Sequence, residues 1–171
     1  YDLFSIWGNC SMNPAMYCAP ISYNGVANRP NFDEEITVTG FPMCSYTIDA
    51  FKAWLAQNTG VIANKNIALN DDISIVCAKG TSTSDPCIYS ESIRLYQNGA
   101  TMTVTANGKT IKSMEITFAQ NHYYMEPNCG EFSAEGATRV WTGEATEVVF
   151  TTTGTDKNHR CYIKSMTITY R

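Results

Sequence analysis

The stretch Thr101-Met-Thr-Val-Thr-Ala106 decides the fold class of this sequence. Its methionine, valine and alanine alternate strictly with threonines, so an extended chain here has one apolar side and one polar side. This period of two is typical of an antiparallel strand that covers a core with one face and meets water with the other. Threonine suits the wet face, because its branched β-carbon favours extended backbone and its hydroxyl stays hydrated.

Two further segments repeat each other almost residue for residue. Ile111-Lys-Ser-Met-Glu-Ile-Thr-Phe118 returns as Ile163-Lys-Ser-Met-Thr-Ile-Thr-Tyr170, with six of eight positions identical. In each copy the first isoleucine is out of phase with the Met-Ile-aromatic series that follows it. A β-bulge at Lys-Ser would bring all of these apolar side chains to the core side. We therefore expect two bulged strands in equivalent environments of one sandwich.

Glycine-containing turns separate the apolar runs. Asn98-Gly99 and Asn107-Gly108 are the clearest, since Asn-Gly pairs supply the positive φ angles of tight hairpins. The pattern as a whole predicts an all-β fold, an antiparallel β-sandwich with at most one short helix at about residues 49–57.

That helix is predicted by the spacing of its apolar residues. Phe51, Trp54 and Leu55 would share one helical face, and Thr47 or Asp49 can cap its start. The helix would pack on the sandwich or form a turn in a crossover.

The character of the sequence differs before residue 33. Residues 1–32 contain aromatic residues, prolines and two cysteines without a clear period. We expect a β-sandwich domain at 33–171, preceded by an arm wrapped over the domain or by an attachment segment at 1–32.

Composition narrows the class of protein. Hydrophobic residues make up 44% of the 171 residues and charged residues 16%, so disorder is not expected. The net charge is −4 and the lysines and arginines are scattered, which gives nucleic-acid binding little electrostatic support. The longest apolar runs are too short for a transmembrane segment. The start at Tyr1 without a methionine suggests a processed, secreted chain.

Seven cysteines form no CxxC pair and no Cys/His cluster with zinc spacing. Cys77 and Cys87 flank a turn-rich segment and could close a short loop by a disulfide, as could Cys10 and Cys18. The odd number leaves a free thiol or an intermolecular bond. Buried thiols acting as small apolar residues are the other interpretation.

The sequence predicts no enzyme. It lacks the nucleophile elbow, the zinc-protease helix, the phosphate loop and the dinucleotide fingerprint. His159 and Cys161 stand two residues apart without an orienting third group, and the carboxylates lie near turns or on wet strand faces. No cofactor is expected, although Asp71, Asp72 and Asp85 could contribute to a structural calcium site.

Aromatic residues are the best indication of binding. Sugar rings pack on tyrosine or tryptophan, while amide side chains bond the hydroxyls. The candidate ligand-binding residues combine these types: Tyr123, Tyr124, Trp54, Trp7, Asn121 and Gln120. Because neighbours on a strand point to opposite faces, we expect only one of the two adjacent tyrosines to be exposed.

The sequence from Ala68 to Tyr170 resembles a β-sandwich module of secreted and surface proteins of gut bacteria. The resemblance is carried, in order, by Ala78-Lys-Gly80, Tyr89, Ile93-Arg-Leu-Tyr96, Met102-Thr-Val-Thr105, the two repeated segments, Trp141-Thr-Gly143, Val148-Val-Phe-Thr151 and His159-Arg160. It implies a jelly-roll-like sandwich similar to carbohydrate-binding modules, located outside the cell or on its surface. It also implies a structural role for most of the matched aromatic residues.

Two functions follow as hypotheses. The first is a non-catalytic module that binds a glycan or cell-wall polysaccharide at a bacterial surface through exposed aromatic residues. The alternative is a structural or adhesive subunit that binds copies of itself through residues 1–32, by strand addition or an intermolecular disulfide.

Overall fold

The computed structural model of the chain describes residues 43–171. The predictions for the segment 1–32, for Trp7 and for Cys10 and Cys18 lie outside these residues. The described elements follow one another as β1 Cys44–Tyr46, α1 Ile48–Gln57, β2 Gly60–Val61, β3 Asn66–Ala68, β4 Ile73–Ala78, β5 Cys87–Ile88, β6 Ile93–Leu95, β7 Thr101–Ala106, β8 Ile111–Tyr123, β9 Met125–Pro127, β10 Glu131–Phe132, β11 Thr138–Ala145, β12 Glu147–Thr152 and β13 Cys161–Tyr170.

The strands form two antiparallel sheets around one core. The larger sheet has the order β10-β11-β8-β13-β6-β5-β2, and β1 also pairs with β13. The smaller sheet has the order β3-β4-β7-β12-β9. Buried side chains of both sheets belong to a single hydrophobic cluster. The predicted all-β sandwich is therefore confirmed.

Strand β7 occupies the centre of the smaller sheet, where its alternating pattern is required. Met102, Val104 and Ala106 are buried in the core, and the threonines between them are half-buried on the opposite face. The strand pairs with β4 on one side and with β12 on the other. A central position of this kind buries the whole apolar face, which explains the strictness of the alternation.

The two repeated segments lie side by side as β8 and β13. Ile116 pairs with Met166 and Met114 pairs with Ile168, so the copies run antiparallel to each other. The register shifts by one residue at Lys112 and again at Lys164. These shifts confirm the predicted bulges, because all the apolar residues of both copies are buried.

Helix α1 begins one residue before the predicted start. The Thr47 side chain accepts a hydrogen bond from the backbone N–H of Ala50 at 3.3 Å, so threonine is the N-cap. Phe51 and Leu55 are buried, and the helix packs against β13. No helix between residues 43 and 171 has the length and apolar character needed to cross a membrane.

The possible disulfide between Cys77 and Cys87 is absent from the structure. Cys77 lies on β4 of the smaller sheet and is buried in the core, whereas Cys87 lies on β5 of the larger sheet. Both are free thiols, as are Cys44, Cys129 and Cys161. Cys77 and Cys161 are fully buried, which confirms for these two the interpretation of cysteine as a small core residue.

Burial also sets thiol reactivity. It raises the pKa of Cys77 to about 12 and places that of Cys161 well above its ordinary value. Because the thiolate is the reactive species, we expect a disulfide reagent at about pH 8 to modify Cys44, Cys87 and Cys129 in the folded chain. Cys77 and Cys161 should react only after denaturation. Peptide mapping by mass spectrometry checks this, and rapid native labelling of Cys77 would contradict the packing.

Candidate functional site

The predicted polar and aromatic residues of β8 lie on a wide bulge. Phe118 pairs with Ile163 and Tyr123 pairs with Cys161, so residues 119–122 stand opposite Tyr162 alone. Gln120 has a positive φ of 54°, a conformation that non-glycine residues rarely adopt. Such bulges redirect side chains and are frequent next to functional sites.

The bulge holds the predicted residues close to one another. Gln120 and Asn121 are exposed, while Tyr123 and Tyr124 are each half-buried. Tyr124 lies just beyond the end of β8, so the alternation of strand side chains does not separate it from Tyr123. The two tyrosine rings stack with centroids 4.7 Å apart. The expectation that only one tyrosine is exposed is therefore wrong. Tyr123 also packs against the core, which gives its ring a structural role.

A second group of side chains, which we call the arginine–tyrosine cluster, adjoins the bulge. It consists of Tyr89, Arg94, Tyr96, His122, Arg160 and Tyr162. The guanidinium carbon of Arg94 lies 4.5 Å from the ring centroid of Tyr89 and 4.6 Å from that of Tyr162. The strand register explains this contact, since Arg94 and Tyr162 are cross-strand partners on β6 and β13.

Arg160 joins the same cluster from the start of β13. Its guanidinium carbon lies 5.1 Å from the ring centroid of Tyr96, and its Nη1 donates to the Tyr162 hydroxyl at 3.3 Å. Its Nε donates to Gln97 Oε1 at 3.0 Å. Aromatic and amide contacts thus hold the Arg160 guanidinium in place, and none of these contacts is with a carboxylate.

His122 completes the cluster. Its ring centroid lies 4.3 Å from that of Tyr162. Burial lowers the pKa of His122, and the charges of Arg160 and Arg94 lower it further, although a backbone interaction with Asn158 opposes the shift. The imidazole is therefore neutral at neutral pH, and the cluster carries the two charges of its arginines.

Tyr96 connects the cluster to Cys87. The Cys87 sulfur and the Tyr96 hydroxyl are 3.5 Å apart, and burial together with this contact raises the pKa of Tyr96 to about 12. The phenol stays neutral across the physiological range. The cluster accordingly contains donors and aromatic faces but no anion of its own.

A turn after β12 borders the bulge. Asp156 Oδ2 lies 2.7 Å from His159 Nδ1, and the His159 ring meets Tyr124 edge to face at 4.4 Å. Hydrogen bonds from the Asn158 backbone and from His159 lower the pKa of Asp156. The Asp156 carboxylate therefore stabilises its own turn. Because the His159 ring of this turn packs against Tyr124, the turn also supports the Tyr124 ring.

The other predicted site residues lie elsewhere. Trp54 is half-buried against the core, 6.0 Å from Phe51, so it is not a free stacking platform. Asp72 lies in a turn organised by the Asn70 side chain, and Asp85 faces Lys79 at 4.0 Å. Residues 43–171 contain no group of three potential metal ligands, so the calcium prediction gains no support there.

Sequence reasoning missed the arginine–tyrosine cluster itself. A signal existed, because Arg94 alternates with the buried residues Ile93 and Leu95 and must therefore face away from the core. The association of Arg94 with Arg160 and Tyr162 depends on the pairing of β6 with β13, which no local pattern specifies.

The profile of the family described as Bacillus phage phi29 tail knob protein gp9, C-terminal domain, matches residues 4–162. Searches of curated proteins and of solved structures found no match.

This match overturns the resemblance to a gut-bacterial carbohydrate-binding-like module, because the matching family is that of a phage tail protein. The blocks that suggested the module form strands such as β6, β7 and β12, which antiparallel sandwiches of many families contain. The main hypothesis, a module that binds glycan at a bacterial surface, is wrong for the same reason. The alternative, a structural subunit, fits the family better.

Proposed function

The chain belongs to the family of the C-terminal domain of the Bacillus phage phi29 tail knob protein gp9, and from that membership we propose that it is a non-catalytic structural domain of a phage virion. The observation that carries the proposal is the extent of the match, which covers residues 4–162 of 171. The partners proposed are other virion proteins, including copies of this chain. Its location would be the released particle, outside the bacterial cytoplasm.

The length of the edge strands affects how such a domain could assemble with its neighbours. The strands with a partner on one side only, β1, β2, β3, β9 and β10, are each two or three residues long. Short edge strands offer few main-chain groups to an added strand. We therefore propose that residues 43–171 contact their neighbours through side chains on the sheet faces and loops.

Quantitative mass spectrometry of purified virions tests the proposal. We expect this chain to copurify with the particles of the phage that encodes it, at a fixed ratio to the major structural proteins across a density gradient. A replication protein of the same phage serves as the control and should be depleted. Presence in the infected-cell lysate together with absence from the particles would refute the structural role.

The proposed contribution of residues 1–32 to self-association has a separate test. Light scattering of the full chain and of a chain starting at residue 33 should show a larger mass for the full chain than for the shortened one. Equal masses would remove the role of these residues while leaving the virion role intact.

A further inference from the structure

We propose that the arginine–tyrosine cluster is a binding site for a phosphate group. The proposal goes beyond the structural role, since a virion domain can assemble without binding a small anion. It rests on charge, donor geometry and aromatic contacts of residues within 43–171.

The cluster holds two positive charges that no described carboxylate neutralises. The five ion pairs found between residues 43 and 171 involve neither Arg94 nor Arg160. Within the same residues Arg94 donates no hydrogen bond, and its buried Nε has no partner. A buried donor without a partner costs about 1–3 kcal/mol. The outer nitrogens Nη1 and Nη2 of Arg94 donate to none of the described residues either, are not among the buried unpartnered atoms, and are the groups left for a ligand oxygen.

Aromatic rings fix the guanidiniums for such a ligand. Arg94 contacts the rings of Tyr89 and Tyr162, which occupy its flat surface and leave its edge N–H groups for hydrogen bonding. Arg160 bonds Gln97 and Tyr162 through Nε and Nη1, and its Nη2 makes no bond to the described residues. Both arginines contact Tyr162, Arg94 at the ring and Arg160 at the hydroxyl, which places the two guanidiniums around one side chain. A guanidinium ordered in advance loses less entropy when it binds an anion.

The donor set favours phosphate over a single carboxylate. A phosphate monoester carries about −1.5 to −2 charges near neutral pH and presents three acceptor oxygens. Two guanidiniums supply a matching charge and more donors than the two oxygens of one carboxylate accept. The His122 ring lies beside the Tyr162 ring, so it senses a charge bound at this site. Tyr89, 60% exposed, provides an open ring face for the rest of a larger ligand.

Proton NMR of the full chain tests the site directly, because the chain has only two histidines. Inorganic phosphate, added at constant ionic strength, should shift the His122 C2 proton saturably, with a Kd on the order of 1 mM. It should also raise the pKa of His122, since the bound anion offsets the charges of Arg94 and Arg160. Replacement of His159 by glutamine assigns the resonance.

Matched variants separate the site from general charge. Arg94→Gln and Arg160→Gln should each weaken phosphate binding at least tenfold, whereas Arg94→Lys should retain only part of it. Arg171→Gln removes the same charge outside the cluster, where Arg171 faces Glu144, and should leave binding unchanged. Thermal melting verifies that each variant is folded. Absence of a saturable shift in the wild type, or equal losses for Arg94→Gln and Arg171→Gln, would overturn the proposal.

Two further probes identify the source of the phosphate. Tighter binding of glycerol 3-phosphate than of inorganic phosphate would indicate an esterified phosphate on a larger molecule, and the reverse order would indicate the free ion. Acetate should bind at least tenfold more weakly than phosphate. Equal affinity for acetate would contradict a phosphate site.

Discussion

Replacement of Arg139 by methionine is expected to lower the free energy of unfolding by about 3 kcal/mol. The side chain of Arg139 is only 3% exposed. Its guanidinium donates to the backbone oxygens of Ser133 at 2.9 Å, Met125 at 2.7 Å and Tyr123 at 3.3 Å. Methionine fills similar space but donates nothing, so the buried Met125 carbonyl and the part-buried carbonyls of Ser133 and Tyr123 lose this donor.

The ion pair of Arg139 is expected to contribute much less than the carbonyl contacts. Arg139 Nη2 lies 2.9 Å from Glu126 Oε1, but the Glu126 side chain is 51% exposed, and exposed pairs contribute about 0–1 kcal/mol. Glu126→Gln is therefore the matched control. Urea unfolding with an unchanged slope measures both variants. A loss below about 1 kcal/mol for Arg139→Met, or equal losses for the two variants, would show that the backbone contacts are not the stabilising interaction.

Replacement of Gly130 by alanine is expected to destabilise the chain by a similar amount, about 3 kcal/mol. Gly130 has a φ of +74°, and a Cβ there would lie 2.5 Å from Nε1 of Trp141. That nitrogen donates to the Cys129 carbonyl at 2.7 Å, and the indole is fully buried. The methyl group would therefore force apart a buried ring and the turn that holds it.

Variants at two other glycines separate the two causes of this loss, the strained backbone and the steric clash. Gly108 has a φ of +67° with nothing within 4 Å of its Cβ position, so Gly108→Ala reports the backbone cost alone, about 1 kcal/mol. A Cβ at Gly143 would lie 2.7 Å from Cζ2 of Trp141, and Gly143→Ala reports the steric cost. Thermal unfolding monitored by tryptophan fluorescence measures the stability loss of Gly130→Ala, Gly108→Ala and Gly143→Ala. Equal losses at Gly108 and Gly130 would show that the indole can move aside at little cost.

Much of the fold could be predicted because it follows from short patterns. The alternation of β7 and the phase change in both repeats specify which side chains face the core, and the structure buries them as expected. The helix was predicted within one residue by the positions of Phe51 and Leu55. Period and phase are local properties of the sequence, so one sequence is enough to read them.

The candidate site could be predicted only in part, since it depends on long-range register. The sequence indicates that Gln120, Asn121 and Tyr123 form a polar-aromatic group, but the bulge that displays them has no local signal. Arg139 was missed because charged residues are almost always exposed, and its burial depends on carbonyl groups from three separate positions. The wrong family assignment arose from strand blocks that many sandwiches have in common.

Electron microscopy of antibody-labelled virions tests the central claim, a structural role in the phage tail, most directly. Antibodies raised against residues 43–171 should label intact particles of the encoding phage at the tail and leave the head unlabelled. Particles assembled without this chain should lack the label and have incomplete tails. Complete, infectious particles that carry no label would contradict the account.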